Sequence, residues 1–108
     1  MRKEYNKLVR DRIPEIIAAN GKPAQIRVLS EEEYVSALEK KLIEEVGEYL
    51  EGKELSELAD VLEVVQALAE NAGVSFDELL AMKEEKQRTN GAFHKRLFLE
   101  CIEDDRSE

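Results

Sequence analysis

Lys41-Leu42-Ile43-Glu44-Glu45-Val46-Gly47-Glu48, followed by Glu57-Leu58-Ala59-Asp60, is the stretch that decides how this chain folds. Its apolar residues recur at helical spacing, which predicts two successive helices with acidic side chains set among apolar ones. At about 100° per residue, Leu38, Leu42, Val46 and Tyr49 define an apolar arc on the first helix. Glu45 falls inside that arc and Glu48 at its edge. On the second helix Leu55, Leu58, Val61, Leu62, Val65 and Leu68 make a broad apolar face. Glu57 lies within its span once Val64 is included, and Asp60 lies beside it. Glu63, Gln66 and Glu70 take the opposite, solvent side.

Phase, and not spacing, singles these residues out. The chain has 25 acidic residues in 108, and positions 45, 48, 51, 54, 57, 60 and 63 are all acidic. Any one of them can be read as part of a solvated acidic face. A carboxylate on the apolar side is different, because burying it is costly unless a positive group pairs with it. Two antiparallel helices joined by a short turn bring Glu45, Glu48, Glu57 and Asp60 together. Four converging carboxylates suit a hard divalent cation, Mg²⁺ or Mn²⁺, with water completing its shell.

The remaining elements follow from caps and breakers. Residues 11–20 predict a short helix capped by Asp11, with Pro14 in its first turn and Gly21 beyond its end. Residues 25–29 alternate Ile26 and Val28 with Arg27, a short strand pattern that could pair with a second one at residues 93–99. Ser30 with Glu33 forms a capping box, opening the first long helix, which should end near Glu51 with Gly52 beyond. The second should run from about 54 to 72 and stop at Gly73. Ser75 with Glu78 is another capping box, opening a helix to about Arg88, and Asn90-Gly91 is a turn. Residues 103–108 look frayed. The sum is a mainly α, small helical bundle forming one domain over residues 1–108, with the two-stranded element as an addition.

Composition narrows the function classes. The net charge of −9 opposes binding to a nucleic-acid backbone or an anionic membrane. No apolar run reaches membrane-spanning length, and the polar start argues against a secretory signal. Cys101 is the single cysteine, so no disulfide forms within the chain, and a reducing cytoplasm is the natural compartment. Cys101 has no Cys or His at metal spacing, and no glycine-rich phosphate loop is present. The single histidine, His94, reads best as a surface residue in a basic segment.

At the acidic residues the chain resembles the MazG-like, all-α nucleotide pyrophosphohydrolases, including phosphoribosyl-ATP pyrophosphohydrolase-like proteins. Their mark is Glu-Glu-x-x-Glu followed by Glu-x-x-Asp, here Glu44-Glu45-x-x-Glu48 and Glu57-x-x-Asp60. The start, Tyr5-Asn6-Lys7-Leu8-Val9-Arg10-Asp11-Arg12-Ile13-Pro14, and the end, Gly91-Ala92-Phe93-His94-Lys95-Arg96-Leu97-Phe98-Leu99, look like a small single-domain branch of that superfamily. The interval from Glu48 to Glu57 is shorter than is usual there, which demands a tight turn at Gly52-Lys53.

The resemblance implies hydrolysis of a nucleoside triphosphate or phosphoribosyl-nucleotide to a monophosphate and pyrophosphate, with nucleotide-pool house-cleaning as one use. By the same resemblance Glu45, Glu48, Glu57 and Asp60 would hold Mg²⁺ and Glu44 would orient or deprotonate the attacking water; an exposed helix residue is the other reading of Glu44. It also implies a homodimer or higher homo-oligomer. A triphosphate and a domain of charge −9 both need positive groups near the site. Two clusters qualify: Lys7, Arg10 and Arg12 before the acidic block, and Lys83, Lys86, Lys95 and Arg96 after it. Surface ion pairing is their alternative reading. The competing function is a non-catalytic acidic helical module that binds or regulates a partner.

Overall fold

The computed structural model describes residues 2–103; the expected fraying falls, for residues 104–108, outside the described residues. Among the described residues the chain forms helices and no strand: α1 (Ile13–Ala19), α2 (Glu31–Gly52), α3 (Leu55–Asn71) and α4 (Phe76–Asn90). The fold is mainly α, as the helical spacing predicts. The chain divides into two compact units, Met1–Phe76 and Asp77–Glu108.

In the first unit α2 starts where the capping box lies. Ser30 Oγ accepts from Glu33 N at 3.2 Å, and Glu33 Oε1 accepts from Ser30 N at 3.1 Å. Arg27 clamps the same carboxylate through both guanidinium nitrogens, at 3.2 and 3.0 Å. These contacts satisfy donors that the first helical turn leaves free.

The far end of α2 differs from expectation by one residue. Gly52 is still helical, and Lys53 takes the left-handed step, with φ of +60°. Lys53 N donates to Tyr49 O at 2.7 Å, which closes the last turn. The chain then re-enters a helix at once, because Glu57 Oε1 accepts from Glu54 N at 3.2 Å. The tight turn demanded by the short interval is therefore made by Lys53 and Glu54, and α2 packs against α3.

Two further expectations are corrected. Asp11 does not cap α1: Arg12 holds the N-cap position without a side-chain cap bond. A backbone turn does the work instead, Ile13 N donating to Arg10 O at 3.1 Å. Pro14 does sit in the first turn, and Gly21 follows with φ of +74°. Residues 25–29 and 93–99 form no strand. Alternation alone supplies no ladder partner, and an isolated pair of strands is marginal in water; Val28 and Phe93 stay exposed. Helix α4 begins directly after Ser75, at the last residue of the first unit, and runs to Asn90, with Gly91 at φ of +87°.

The interior of the α2–α3 hairpin is small. Leu38, Val64 and Glu45 are the buried residues among those described, at 3%, 7% and 7% exposure. Each helix keeps an apolar stripe in solvent: Ile43, Val46 and Leu50 on α2, and Leu55, Leu58 and Leu62 on α3, so Val46 of the predicted arc and three leucines of the predicted face stay exposed. Each stripe has the i, i+3, i+7 spacing of a helix face made for packing. No helix among the described residues is long and apolar enough to cross a membrane.

Candidate functional site

Glu45 is the one buried carboxylate among the described residues, and it sits in the middle of α2 facing α3. Its phase within the apolar arc put it there. Burial pushes its pKa up from the usual carboxylate value, and the neighbouring charge of Glu48 adds to the shift. Lys41 opposes the rise, and Asp60 and Glu44 reinforce it. The balance is a carboxylate held among like charges with less positive compensation than it needs.

Lys41, one helical turn earlier, supplies what compensation there is. Its Nζ lies 3.1 Å from Glu44 Oε1 and 3.7 Å from Glu45 Oε2. The second distance is an ion pair but long for a hydrogen bond. Asp60, across the hairpin on α3, has its own cation. Arg10 Nη2 donates to Asp60 Oδ1 at 2.7 Å, joining residues fifty positions apart. Lys7, Val9, Arg10, Ile13, Lys41, Glu45 and Asp60 together line a cleft of about 270 Å³. That is below the usual 300–1,000 Å³ of a small-molecule pocket, and it suits a phosphate group with a cation better than a whole nucleotide.

The expected quartet is thus split. Glu45 and Asp60 share the cleft, and Glu48 is close enough to act on Glu45 though itself exposed. Glu57 is not among the residues that line the cleft; it is half-buried, and its carboxylate accepts from Glu54 N at the start of α3. Among the described residues no three Asp, Glu, His or Cys side chains stand close enough, as placed, to hold a metal ion. The oxygen donors that line the cleft are the carboxylates of Glu45 and Asp60, and three cations, Lys7, Arg10 and Lys41, line it beside them.

Of the basic residues, Lys7 and Arg10 line the cleft, while Arg12 is exposed and pairs with Glu15 at 3.6 Å. Lys83, Lys86, Lys95 and Arg96 belong to the second unit, where all are exposed. Lys41 was not among the residues the sequence marked for the site. Its place at i, i+3 and i, i+4 to Glu44 and Glu45 was the available signal, since such pairs meet on a helix surface.

A stretch of 41 residues, 38% of this chain, is 61% identical to part of an uncharacterized protein of Mycolicibacterium smegmatis (strain ATCC 700084 / mc(2)155). The matched stretch covers 42% of that relative, so it spans less than half of each chain. No protein-family model matches the chain, and no solved structure does.

Proposed function

We propose that this protein is a Mg²⁺-dependent nucleotide pyrophosphohydrolase, cleaving the bond between the α and β phosphates to give a monophosphate and pyrophosphate. The observation that carries the reading is the undercompensated, buried Glu45 facing Asp60 across a cleft edged by Lys7 and Arg10. An interior carboxylate serves no packing purpose that a leucine would not serve better, so a cationic ligand is the economical reason for it. The acidic motif and both chain ends support the same reading through their resemblance to the MazG-like enzymes.

The chain's own residues divide the work as follows. Glu45 and Asp60, with Glu48 beside them, would hold a hard divalent cation, and Glu57 would reach it only without its bond from Glu54 N. A bound divalent cation offsets charge developing on the phosphate oxygens. Lys7 and Arg10 receive the outer phosphates. Glu44, steadied by Lys41 at 3.1 Å, orients the attacking water and takes its proton. Water adds to the α phosphorus, the bridging α–β bond breaks, and pyrophosphate leaves.

The exposed stripes on α2 and α3 favour self-association: a second hairpin laid on the first covers both, giving the four-helix arrangement common to small helical proteins. They also favour the alternative reading, a non-catalytic module that docks a partner. Exposed Cys101 suits a reducing compartment such as the cytoplasm. The test is a screen of nucleotides with Mg²⁺ that reads pyrophosphate release. Release of orthophosphate alone would contradict the bond assigned. The module reading requires no turnover and no rise in melting temperature with Mg²⁺, whereas saturation at a hundredfold over Kd adds about 2.7 kcal/mol.

A further inference from the structure

We propose that residues 93–102 of each chain lie in the seam between two α2–α3 hairpins, covering the apolar stripes of a second copy of this chain. This rests on the self-association read above, and not on the hydrolase reading, and it names the segment that completes the contact. The segment opens with a turn: Arg96 N donates to Phe93 O at 3.2 Å, with Arg96 in the left-handed region at φ of +57°. Residues 97–102 then run on with neither helix nor strand. Phe93, Leu97, Phe98, Leu99 and Ile102 are between 75% and 96% exposed. Helix α4, which precedes them, has no buried residue. A short helix that buries nothing is marginal in water, so the second unit lacks a core of its own and calls for a surface to pack on.

Two properties of the segment choose its occupant. The first is that its apolar side chains are consecutive. Neighbouring side chains of an extended chain point to opposite sides, so Leu97-Phe98-Leu99 carries apolar groups on both, the pattern of a segment covered on two faces. One hairpin surface covers one of them; a second hairpin, brought by a second copy, covers the other. The second property is charge. Lys53 is the one basic side chain between Glu44 and Met82, so two hairpins laid together bring like charge to the same seam. Residues 93–99 bring Lys95 and Arg96 and no acidic side chain. Among the described residues these two form no ion pair within one chain, and neither does Glu39, one turn before Ile43, or Glu51, next to Leu50. A twofold axis makes the exchange reciprocal: each copy gives one segment and receives one. With a comparable length of hairpin received, each copy brings the roughly 20–30 residues a side of a stable interface.

The test uses the full chain and its natural Cys101, the single cysteine and an exposed one. A benzophenone maleimide on Cys101 is irradiated at the micromolar concentration at which sedimentation reports the oligomer, and the products are mapped by mass spectrometry. The expected product is a covalent dimer, twice the 12.4 kDa of one chain, joining Cys101 to residues 39–62 of the second copy. Phe98→Asp should weaken the dimer about tenfold in Kd, since a charge would have to shed its water at the seam. Its helix content should hold, because Phe98 is exposed within one chain. A cross-link to the hairpin at the mass of one chain would overturn the proposal, because the segment would then lie on its own hairpin. A covalent dimer joined outside residues 39–62, no cross-link from a protein that sediments as a dimer, or an unchanged Kd in Phe98→Asp would overturn it too. In those cases self-association stands and the segment's part in it falls. A wild type that sediments as a monomer removes both.

Discussion

Gly52 and Glu57 lie so close that a β-carbon on Gly52 would stand 2.6 Å from Glu57 Oε1. The carboxylate is folded back over the end of α2 because it accepts from Glu54 N. Glu57 thus has a structural task before any ion arrives. Glu57→Ala should destabilise the ion-free protein by about 0.5–1 kcal/mol, the usual loss for a helix-start contact of this kind. The melting temperature in EDTA checks this; no drop there, with a loss of Mg²⁺ binding, would assign Glu57 to the ion alone.

Lys53 is a non-glycine residue with φ of +60°. Holding a side chain in the left-handed region costs roughly 1 kcal/mol, and glycine does not bear that cost. Lys53→Gly should therefore raise stability by up to about that amount, less the added freedom of the unfolded chain. Denaturant unfolding would show it as a higher midpoint at unchanged slope. A lower midpoint would mean that the Lys53 side chain, whose Nζ lies 5.8 Å from the Tyr49 ring centre, contributes more than the strain takes away.

Glu33 is held well below its ordinary pKa of 4.5, at about 2, first by the hydrogen bond from Arg27 and then by the Ser30 backbone N–H. A lowered folded pKa means that the carboxylate stabilises the fold above the unfolded value. That contribution fades as the pH falls from about 4.5 towards 2. Glu33→Gln should melt lower than wild type at pH 7, and the gap should close across that acid window. A gap independent of pH would show that the neutral cap bonds, and not the charge, hold the start of α2.

The helices were legible because caps and phase are local. Ser30 with Glu33 marked the start of α2, and the placing of Glu45 inside the apolar arc foretold its burial. What failed was non-local or competitive. Strands at 25–29 and 93–99 need a ladder partner, which alternation cannot provide. The ends of α1 and α2 moved because backbone turns at Arg10 and Lys53 met the helix ends first. The candidate site was half legible: phase separated Glu45 from Glu63 and Glu70, but could not show that Glu57 would turn back to Glu54, or that Arg10 would reach Asp60 from fifty residues away.

Glu45 gives a prediction of opposite sign to that of Glu33. Its pKa is raised, chiefly by burial and then by Glu48, so the charged form is the one the fold disfavours. The stabilising contribution of its protonated form is complete below the ordinary carboxylate range and is lost as the pH rises through the raised folded value. Glu45→Gln should melt higher than wild type at pH 7 in EDTA, and the advantage should shrink as the pH is brought below about 4.5. Lys41 keeps its contact with Glu44 in the variant, so no buried cation is left alone. Saturating Mg²⁺ should reverse the order, stabilising wild type and leaving the variant unchanged. A variant that melts lower in EDTA would show that the Lys41 pairing outweighs the burial.

Self-association follows from the two stripes on the hairpin. Ile43 and Leu55 are 74% and 79% exposed, and Leu50, Leu58 and Leu62 are 58%, 42% and 51% exposed. Scattered exposed leucines are ordinary, but an i, i+3, i+7 set is an apolar stripe along one side of its helix, and each of the two packed helices carries one. The interior that holds the hairpin consists of little more than Leu38 and Val64. A core this small gains most from a further apolar layer, and an identical hairpin offers a matching one through a twofold axis. Sedimentation at micromolar concentration should give at least twice the 12.4 kDa of one chain. Ile43→Lys with Leu55→Lys should shift the protein towards the monomer, since both positions would have to shed a charge's hydration at the contact. Helix content should persist, because neither side chain is buried within one chain. A wild-type monomer at that concentration would overturn the association, and would also mean that the hairpin is stable on its own small core.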